Sequence, residues 1–405
     1  MGKRARMTRT IPAWAMGLAL APMGFYYGFV STALPVLLRA HGSSVEQIAW
    51  VSSVGFSPTF WAFLLCPILD VRFSKRAYAL FFAAVAAICL GLSTMLTADI
   101  PVFTAVVTLG CTAAVLFSTA HQGWMPDAVE GKHYSAVGGV SQVANLGAAG
   151  IFAWGTVHLV RTLPPAHVAL LLAVLAMLPT LLLFFIPLPT QSLRSARETF
   201  RTFFGDLYQV CKQRECLVGL TCFLLPTACF ALTNLFAALG SDFHTSEEWV
   251  TKINGPLVAL VCSAGSLLGI WICRHIEHRL VYICTGFGAA LAALAMIYTP
   301  HTLPYFAAGV LTYNFFTGIN YTAFSAMCYQ IVGSGNPLAA TQMALLTAAA
   351  NLPISYMTTI DGHLHTTHGL AGMLAIDAIT TLIVGGALLF GLSWMQNRTS
   401  APAAS

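Results

Sequence analysis

The feature that most constrains this chain is a succession of apolar blocks, each long enough to cross a lipid bilayer. They lie near 11–38, 46–69, 77–97, 101–122, 136–160, 166–186, 216–240, 250–273, 280–298, 303–331, 337–360 and 369–395, separated by short polar connections. About 20 predominantly apolar residues make a helix that spans the hydrocarbon. No water is available there, so the backbone must satisfy its own N–H and C=O groups, and a helix does this within one segment. The sequence therefore predicts an all-α polytopic membrane protein with twelve transmembrane helices. Composition agrees: 57% of the 405 residues are hydrophobic and 8% charged, where a soluble domain carries about 25% charged residues.

The start, "MGKRARMTRT" before an apolar run, has the outline of a secretory signal. The run from Ile11 to Leu38 is too long for a signal's apolar region, and many spans follow it, so an uncleaved first span is expected. Orientation follows from the basic residues. With the N-terminus inside, 16 of the 19 Lys and Arg residues fall on the cytoplasmic side, and only Arg39, Arg161 and Lys252 fall outside. Both termini are thus expected in the cytoplasm, at the inner membrane of the cell. The same asymmetry accounts for the net charge of +5, so no nucleic-acid partner is needed to explain it.

The eleven cysteines do not form a recognisable framework. Cys66, Cys89, Cys111, Cys222, Cys229, Cys262, Cys284 and Cys328 lie within apolar blocks, and Cys211 and Cys216 on the expected cytoplasmic side. No CxxC or Cys/His spacing points to a metal, so they read as small packing residues. Neither metal nor cofactor is expected.

One connection differs from the rest. "PLPTQSLRSARETFRTFFGDLYQVCKQREC" (187–216) mixes Phe200, Phe203, Phe204, Tyr208 and Val210 with Arg194, Arg197, Arg201 and Lys212. That mixture predicts an amphipathic helix on the membrane surface. The linker, 191–215, would divide an N-terminal six-helix bundle (1–190) from a C-terminal one (216–405). The halves also echo each other. At an offset of 202 residues, Ser44 matches Ser246, Glu46 matches Glu248 and Arg72 matches Arg274. Two similar bundles around a central path is a transporter arrangement.

Several short stretches carry a family resemblance. "AATQMALLTAAANLP" (339–353), "GFYYG" (24–28), "CPILD" (66–70) and "QGWMPDA" (122–128) resemble motifs of the major facilitator superfamily. Within it they are similar to the branch of AmpG-like muropeptide permeases and acetyl-CoA transporters. The resemblance implies twelve helices in two pseudo-symmetric bundles, alternating access, and proton coupling. Two departures stand out. Where that branch carries a lysine in span two and an aspartate at the end of span four, this chain has Ala62 and Gly123. One charge of each sign is gone, as expected if the two form an ion pair lost as a unit. Restoring both would then be tolerated better than restoring either, and the substrate would be less anionic than the branch norm.

Polar side chains within the spans are the candidate site residues, because they are expensive to expose to lipid. In span ten, "TYNFFTGINYTAF" (312–324), Tyr313, Asn314, Thr317, Asn320 and Tyr321 recur at helical spacing. They must face protein or a wet cavity, and the resemblance implies that spans one, four, seven and ten line the cavity. Tyr26 and Tyr27 in span one, Gln142 and Asn145 in span five, Asn234 in span seven, and Gln342 and Asn351 in span eleven complete the set. Each alone reads more readily as an interhelical hydrogen bond than as a ligand contact. Thr104, Thr108, Thr112 and Thr119 share a face of span four, where hydroxyls line water or bond a helix backbone.

At the end of span four, "STAHQGWMPDAVEG" (118–131) holds His121, Gln122 and Asp127. They are either the polar end of a helix that Pro126 breaks or a proton or substrate group at the cavity mouth. "DVRFSKR" (70–76) resembles a degenerate form of the superfamily loop between spans two and three. That resemblance implies that Asp70, Arg72 and Arg76 hold a closed state, partly by charge at a helix terminus. "TTIDGHLHTTHG" (358–369), with Asp361, His363, His365 and His368, reads as a solvated outer turn rather than a zinc site. Gly24/Gly28 and Gly265/Gly269 read as close helix packing.

The function expected is that of a monomeric secondary transporter that moves a small organic solute across the bilayer, with protons as the coupling ion. Rival classes are a transporter-like scaffold or receptor and an intramembrane enzyme. The enzyme would want paired carboxylates, HExxH or a serine dyad deep in the spans, and ATP drive would want a Walker A sequence. The sequence offers none of these.

Overall fold

The computed structural model describes residues 11–71, 73–188, 201, 204–205, 207–209 and 212–400. Nearly all of them are helical, and no strand occurs among the described residues. We number the helices α1 (Ala13–Ala40), α2 (Glu46–Asp70), α3 (Lys75–Ser93), α4 (Ile100–Ala128), α5 (Gly131–Thr162) and α6 (Pro165–Phe185). They continue with α7 (Arg214–Leu224), α8 (Glu247–His275), α9 (His278–Tyr298) and α10 (Leu303–Val332). The last helical stretch, Ala339–Ser400, is interrupted at Gly369, where φ is 68°, giving α11 (339–368) and α12 (370–400). The expected amphipathic helix at 191–215 falls largely outside the described residues, as do Arg72 and Cys211.

Local chemistry explains several helix starts. Ser44 and Gln47 form a reciprocal capping box at the start of α2, satisfying two orphan backbone donors. Ser246 occupies the N-cap position of α8. The helical turns following these serines start at Val45 and Glu247, the offset at which the two halves echo each other in sequence. Ser74 and Asp99 cap α3 and α4.

The structure departs from the sequence expectation in two places. The seventh block does not form one helix over 216–240. α7 stops at Leu224, because Pro226 cannot supply the next helical N–H and restricts the residue before it. Phe230 then adopts a left-handed backbone, φ 54°, and only short turns at Ala231–Asn234 and Ala238–Gly240 follow. The outer segment 358–368 is no loop. It remains helical up to Gly369, which supplies the positive φ that joins α11 to α12 in a single residue.

The chain forms two compact units: Met1–Cys216 with Ser325–Ala348, and Leu217–Phe324 with Ala349–Ser405. The first has a core of Phe29, Leu34, Phe103, Val107, Phe152 and Leu172. In the second, Tyr313 is enclosed by Phe230 and Phe236, with ring centroids 5.5 and 5.1 Å away. All described cysteines are free, and all but Cys284 are buried.

Small residues set how closely the helices approach. A Cβ at Gly24 or Gly28 would strike the carbonyls of Asn145 and Ala149 on α5, and one at Gly265 the Phe315 carbonyl on α10. Both GxxxG pairs are packing seams. Gly28→Ala is therefore expected to lower stability by about 1–3 kcal/mol, the usual cost of overpacking. Gly155→Ala, which meets nothing within 4 Å, is expected to leave it unchanged. Thermal unfolding of the two variants side by side checks this, and equal midpoints would refute the seam.

Candidate functional site

The most organised polar cluster lies in the first unit, where the end of α2 meets the start of α11. The backbone donors in a helix's first turn have no intrahelical partner, and the helix dipole favours negative charge there. Asp70 fills this role for α11. Its Oδ1 accepts from the Ala340 N–H at 3.0 Å, and its Oδ2 accepts from the Thr341 N–H at 2.9 Å and the Thr341 hydroxyl at 2.7 Å. The Asp70 side chain is wholly buried, and Lys75 Nζ lies 3.6 Å from it, also buried. Lys75 donates in turn to the Gly123 carbonyl at 3.0 Å. A buried carboxylate with one helix end and one ammonium is compensated, whereas either ion alone would cost several kcal/mol.

Gly123 is part of the same contact. A Cβ there would lie 2.7 Å from Ala340 Cα and 2.9 Å from its nitrogen. The glycine is thus required by the close approach of α4 to α11, and Ala62 is itself fully buried. An aspartate side chain at position 123 has no room in this arrangement, with or without a lysine at 62.

A second set of bonds ties the turn between α10 and α11 to the same unit. Asp127 Oδ1 accepts from the Gly335 N–H at 2.6 Å, where Gly335 has a φ of 75°. Gln142 Nε2 donates to the Ser325 hydroxyl at 2.9 Å. Asn336 Nδ2 donates to Gln342 Oε1 at 2.6 Å, and the Tyr134 and Tyr329 rings meet at 5.9 Å. Of the residues expected to gate or line a path, Asp70, Asp127, Gln142 and Gln342 are therefore brought onto one segment, 325–348.

The other gating candidates lie elsewhere. Arg76 does not pair with Asp70. It donates to the Ile186 carbonyl and stacks 5.7 Å over Trp124, whose indole donates to the Pro187 carbonyl at 3.0 Å. It anchors the end of α6. Pro126 does not end α4, which continues to Ala128. His121 is accordingly no terminal group meeting water. It is completely buried, with Nε2 3.0 Å from the Met16 carbonyl of α1. Gln122 donates to Ser118 of its own helix at 2.8 Å.

The polar stripe of α10 avoids lipid, as expected, but bonds mostly to neighbouring helices. Asn320 donates to the Tyr282 carbonyl and the Thr285 hydroxyl of α9 at 3.0 and 2.9 Å. Asn314 donates to the Val310 carbonyl at 2.9 Å and accepts from Thr233 at 3.4 Å. Thr317 bonds back to the Tyr313 carbonyl at 3.1 Å, and Tyr313 donates to Asp377 of α12 at 3.4 Å. Tyr321 is half-buried. Tyr26 is likewise internal, donating to the Val107 carbonyl at 2.8 Å. The α4 threonines 104, 108 and 112 bond back to the carbonyls four residues earlier. Exposed or half-buried positions remain at Tyr27, Asn145, Asn234 and Asn351. Asn145 Oδ1 has no partner, and Asn234 reaches Thr358 at 3.3 Å.

Sequence reasoning missed Lys75, the close approach at Gly123 and Asp377, and with Asp377 the pair of buried span carboxylates, Asp361 and Asp377, that it expected to be absent. Asp377 had a clear signal, since any carboxylate inside a span is a functional candidate.

The sequence model described as the Major Facilitator Superfamily matches residues 16–358. The chain belongs to the major facilitator superfamily. Solved superfamily structures share its fold over almost its whole length. The human organic anion transporter MFSD10 (TETRAN) is 16% identical, with a TM-score of 0.69, covering 93% of this chain and 98% of its own. The proton:xylose symporter XylE, bound to 6-bromo-6-deoxy-D-glucose, is 12% identical at a TM-score of 0.69, covering 92% of this chain and 93% of its own. The transporter FucP in the outward conformation is 13% identical at a TM-score of 0.70, covering 94% of this chain and 98% of its own. At these identities the likeness is one of fold. No curated protein matches the chain in sequence. In this superfamily member the Asp70 contact is the most fully bonded of the expected gating positions.

Asp70→Asn keeps the shape but removes the charge from the α11 terminus, and is expected to lower stability by about 3 kcal/mol. Thr341→Ala should cost less, and the double variant less than the sum of the two singles. A cycle of thermal unfolding measurements reads this coupling, and strict additivity would show that the contact is not a unit. Gly123→Ala is expected to destabilise the same contact, with or without Ala62→Lys. An unchanged unfolding midpoint would disprove that.

Proposed function

We propose that the protein is a secondary active transporter that moves a small organic solute across the inner membrane by alternating access, driven by protons, with both termini in the cytoplasm. The observation that carries this reading is the Asp70–α11 contact. It holds a helix terminus through three hydrogen bonds to one carboxylate and excludes any side chain at Gly123. Such a contact can be exchanged for water when the helix end withdraws. Side chains interdigitated in an apolar core cannot be released so easily. On the orientation read from the basic residues, the contact lies on the cytoplasmic side and holds that side shut.

The substrate class we favour is muropeptide-like, CoA-ester-like or amphipathic and drug-like, following the AmpG-like motifs at 339–353 and 122–128. The absence of charge at Ala62 and Gly123 argues for a solute less anionic than that branch's norm. Tyr27, Asn145, Asn234, Tyr321 and Asn351 are the polar positions we assign to solute contact, being exposed or half-buried rather than fully enclosed.

Reconstitution into proteoliposomes tests this directly. With a panel of muropeptides, CoA esters, peptides and amphipathic drugs, saturable uptake of at least one class is expected, and faster uptake under an inward proton gradient. Failure of every class under either condition would refute the transport reading. Asp127→Asn retaining full gradient-driven uptake would remove Asp127 as a coupling group.

A further inference from the structure

The second unit contains a pair of buried carboxylates that neither the gating contact nor the expected cavity uses. Asp361 on α11 is fully buried, and Asp377 on α12 is 2% exposed. Each is eight residues from Gly369, the single-residue turn between the two helices. They therefore lie at matching depth, about 12 Å below the turn at 1.5 Å per residue. The two are within electrostatic reach of each other.

Their bonding is incomplete. Asp377 Oδ2 accepts a single long bond, 3.4 Å, from the Tyr313 hydroxyl of α10. Its Oδ1 and both oxygens of Asp361 have no hydrogen-bond partner. Other titratable groups facing the pair are Tyr313 on α10 and Cys229 in the break after α7. Nearer the turn, His365 and Asp242 are already engaged with each other at 3.1 Å. No ion pair reaches Asp361 or Asp377 among the described residues. No described group of three or more His, Cys, Asp or Glu side chains is placed to hold a metal ion.

Two unpaired carboxylates enclosed together cannot both stay ionised without a cation. Three oxygens without donors need at least one hydrogen between them. A proton supplies both the charge and the donor, and it needs neither a coordination shell nor additional ligands. We propose that Asp361 and Asp377 form one exchangeable proton site, a carboxyl–carboxylate pair oriented by Tyr313, and that the second unit takes up and releases its coupling proton there. In each cycle one carboxylate oxygen gains a proton from water on one side and returns it to water on the other, with no other reactant. As a coupling group the pair rests on the transport reading above, but as a proton site it does not.

Two independent readouts test the proposal. Infrared spectra of the full chain in lipid nanodiscs, titrated from acid to mildly alkaline pH, should show the C=O stretch of a protonated carboxylic acid that shifts in deuterated water and fades as pH rises. Asp361→Asn and Asp377→Asn, each neutral and of the same shape, should each lose that pH-dependent band. Tyr313→Phe, which leaves both acids in place, should shift its frequency. A wild-type spectrum without the band, or the same band in both Asn variants, would overturn the site. In proteoliposomes, Asp361→Asn should lose gradient-driven accumulation of whichever solute class the wild type moves, yet retain exchange at equal pH. Accumulation equal to wild type would overturn the coupling role. Should the wild type move no solute, the transport reading fails while the infrared result still decides the proton site.

Discussion

Everything in this structure follows from a solvent that offers polar groups nothing. Inside a bilayer an unpaired N–H, hydroxyl or amide costs several kcal/mol. The backbone answers with helices, and the side chains answer with bonds to neighbouring helices or to the turn beneath them. The α4 threonines take the second course and bond the carbonyls four residues back. Asn320 takes the first, fastening α10 to α9 through two bonds. Polarity that looks like a solute path along one strip of sequence is distributed among several helix contacts.

The same economy explains the form of the Asp70 contact. A helix start presents donors without partners, and a carboxylate from elsewhere in the unit caps them. Asp70 does for α11 what Ser44 does locally for α2, but from 270 residues away. Local caps fix where a helix begins. A distant cap also makes the helix end conditional on the position of another hairpin. Lys75 and the bare surface of Gly123 complete it, one by balancing charge and the other by admitting the α11 backbone.

The helices were largely legible in the sequence because membrane helices are defined by length and apolarity, which need no tertiary information. The exceptions have local causes of another kind. α7 ends early at a proline that an apolar average hides, and the segment before Gly369 is helical although its histidines resemble a wet turn. Site residues were less legible. Asp70 and Asp127 stand in recognisable motifs, and both accept hydrogen bonds from the 325–348 segment. The motif points to Arg76 and not to Lys75, but adjacent basic residues point to different sides of a helix and only packing decides which meets the carboxylate. Tyr26, His121 and Asn314 looked like cavity groups because sequence shows polarity but not partners. The Val107 and Met16 carbonyls and the hydroxyl of Thr233 that engage them lie on other segments.

The hairpin at Gly369 has a consequence for how the protein is made. A one-residue connection leaves α11 and α12 too little slack to enter the lipid separately, so the pair partitions as a single inserting element. An isolated acid in either helix would oppose that step by itself. Because the two acids are mirrored about the turn, they cross the headgroups together, and on the proton-site proposal each proton they take up lowers the charge that must be dehydrated.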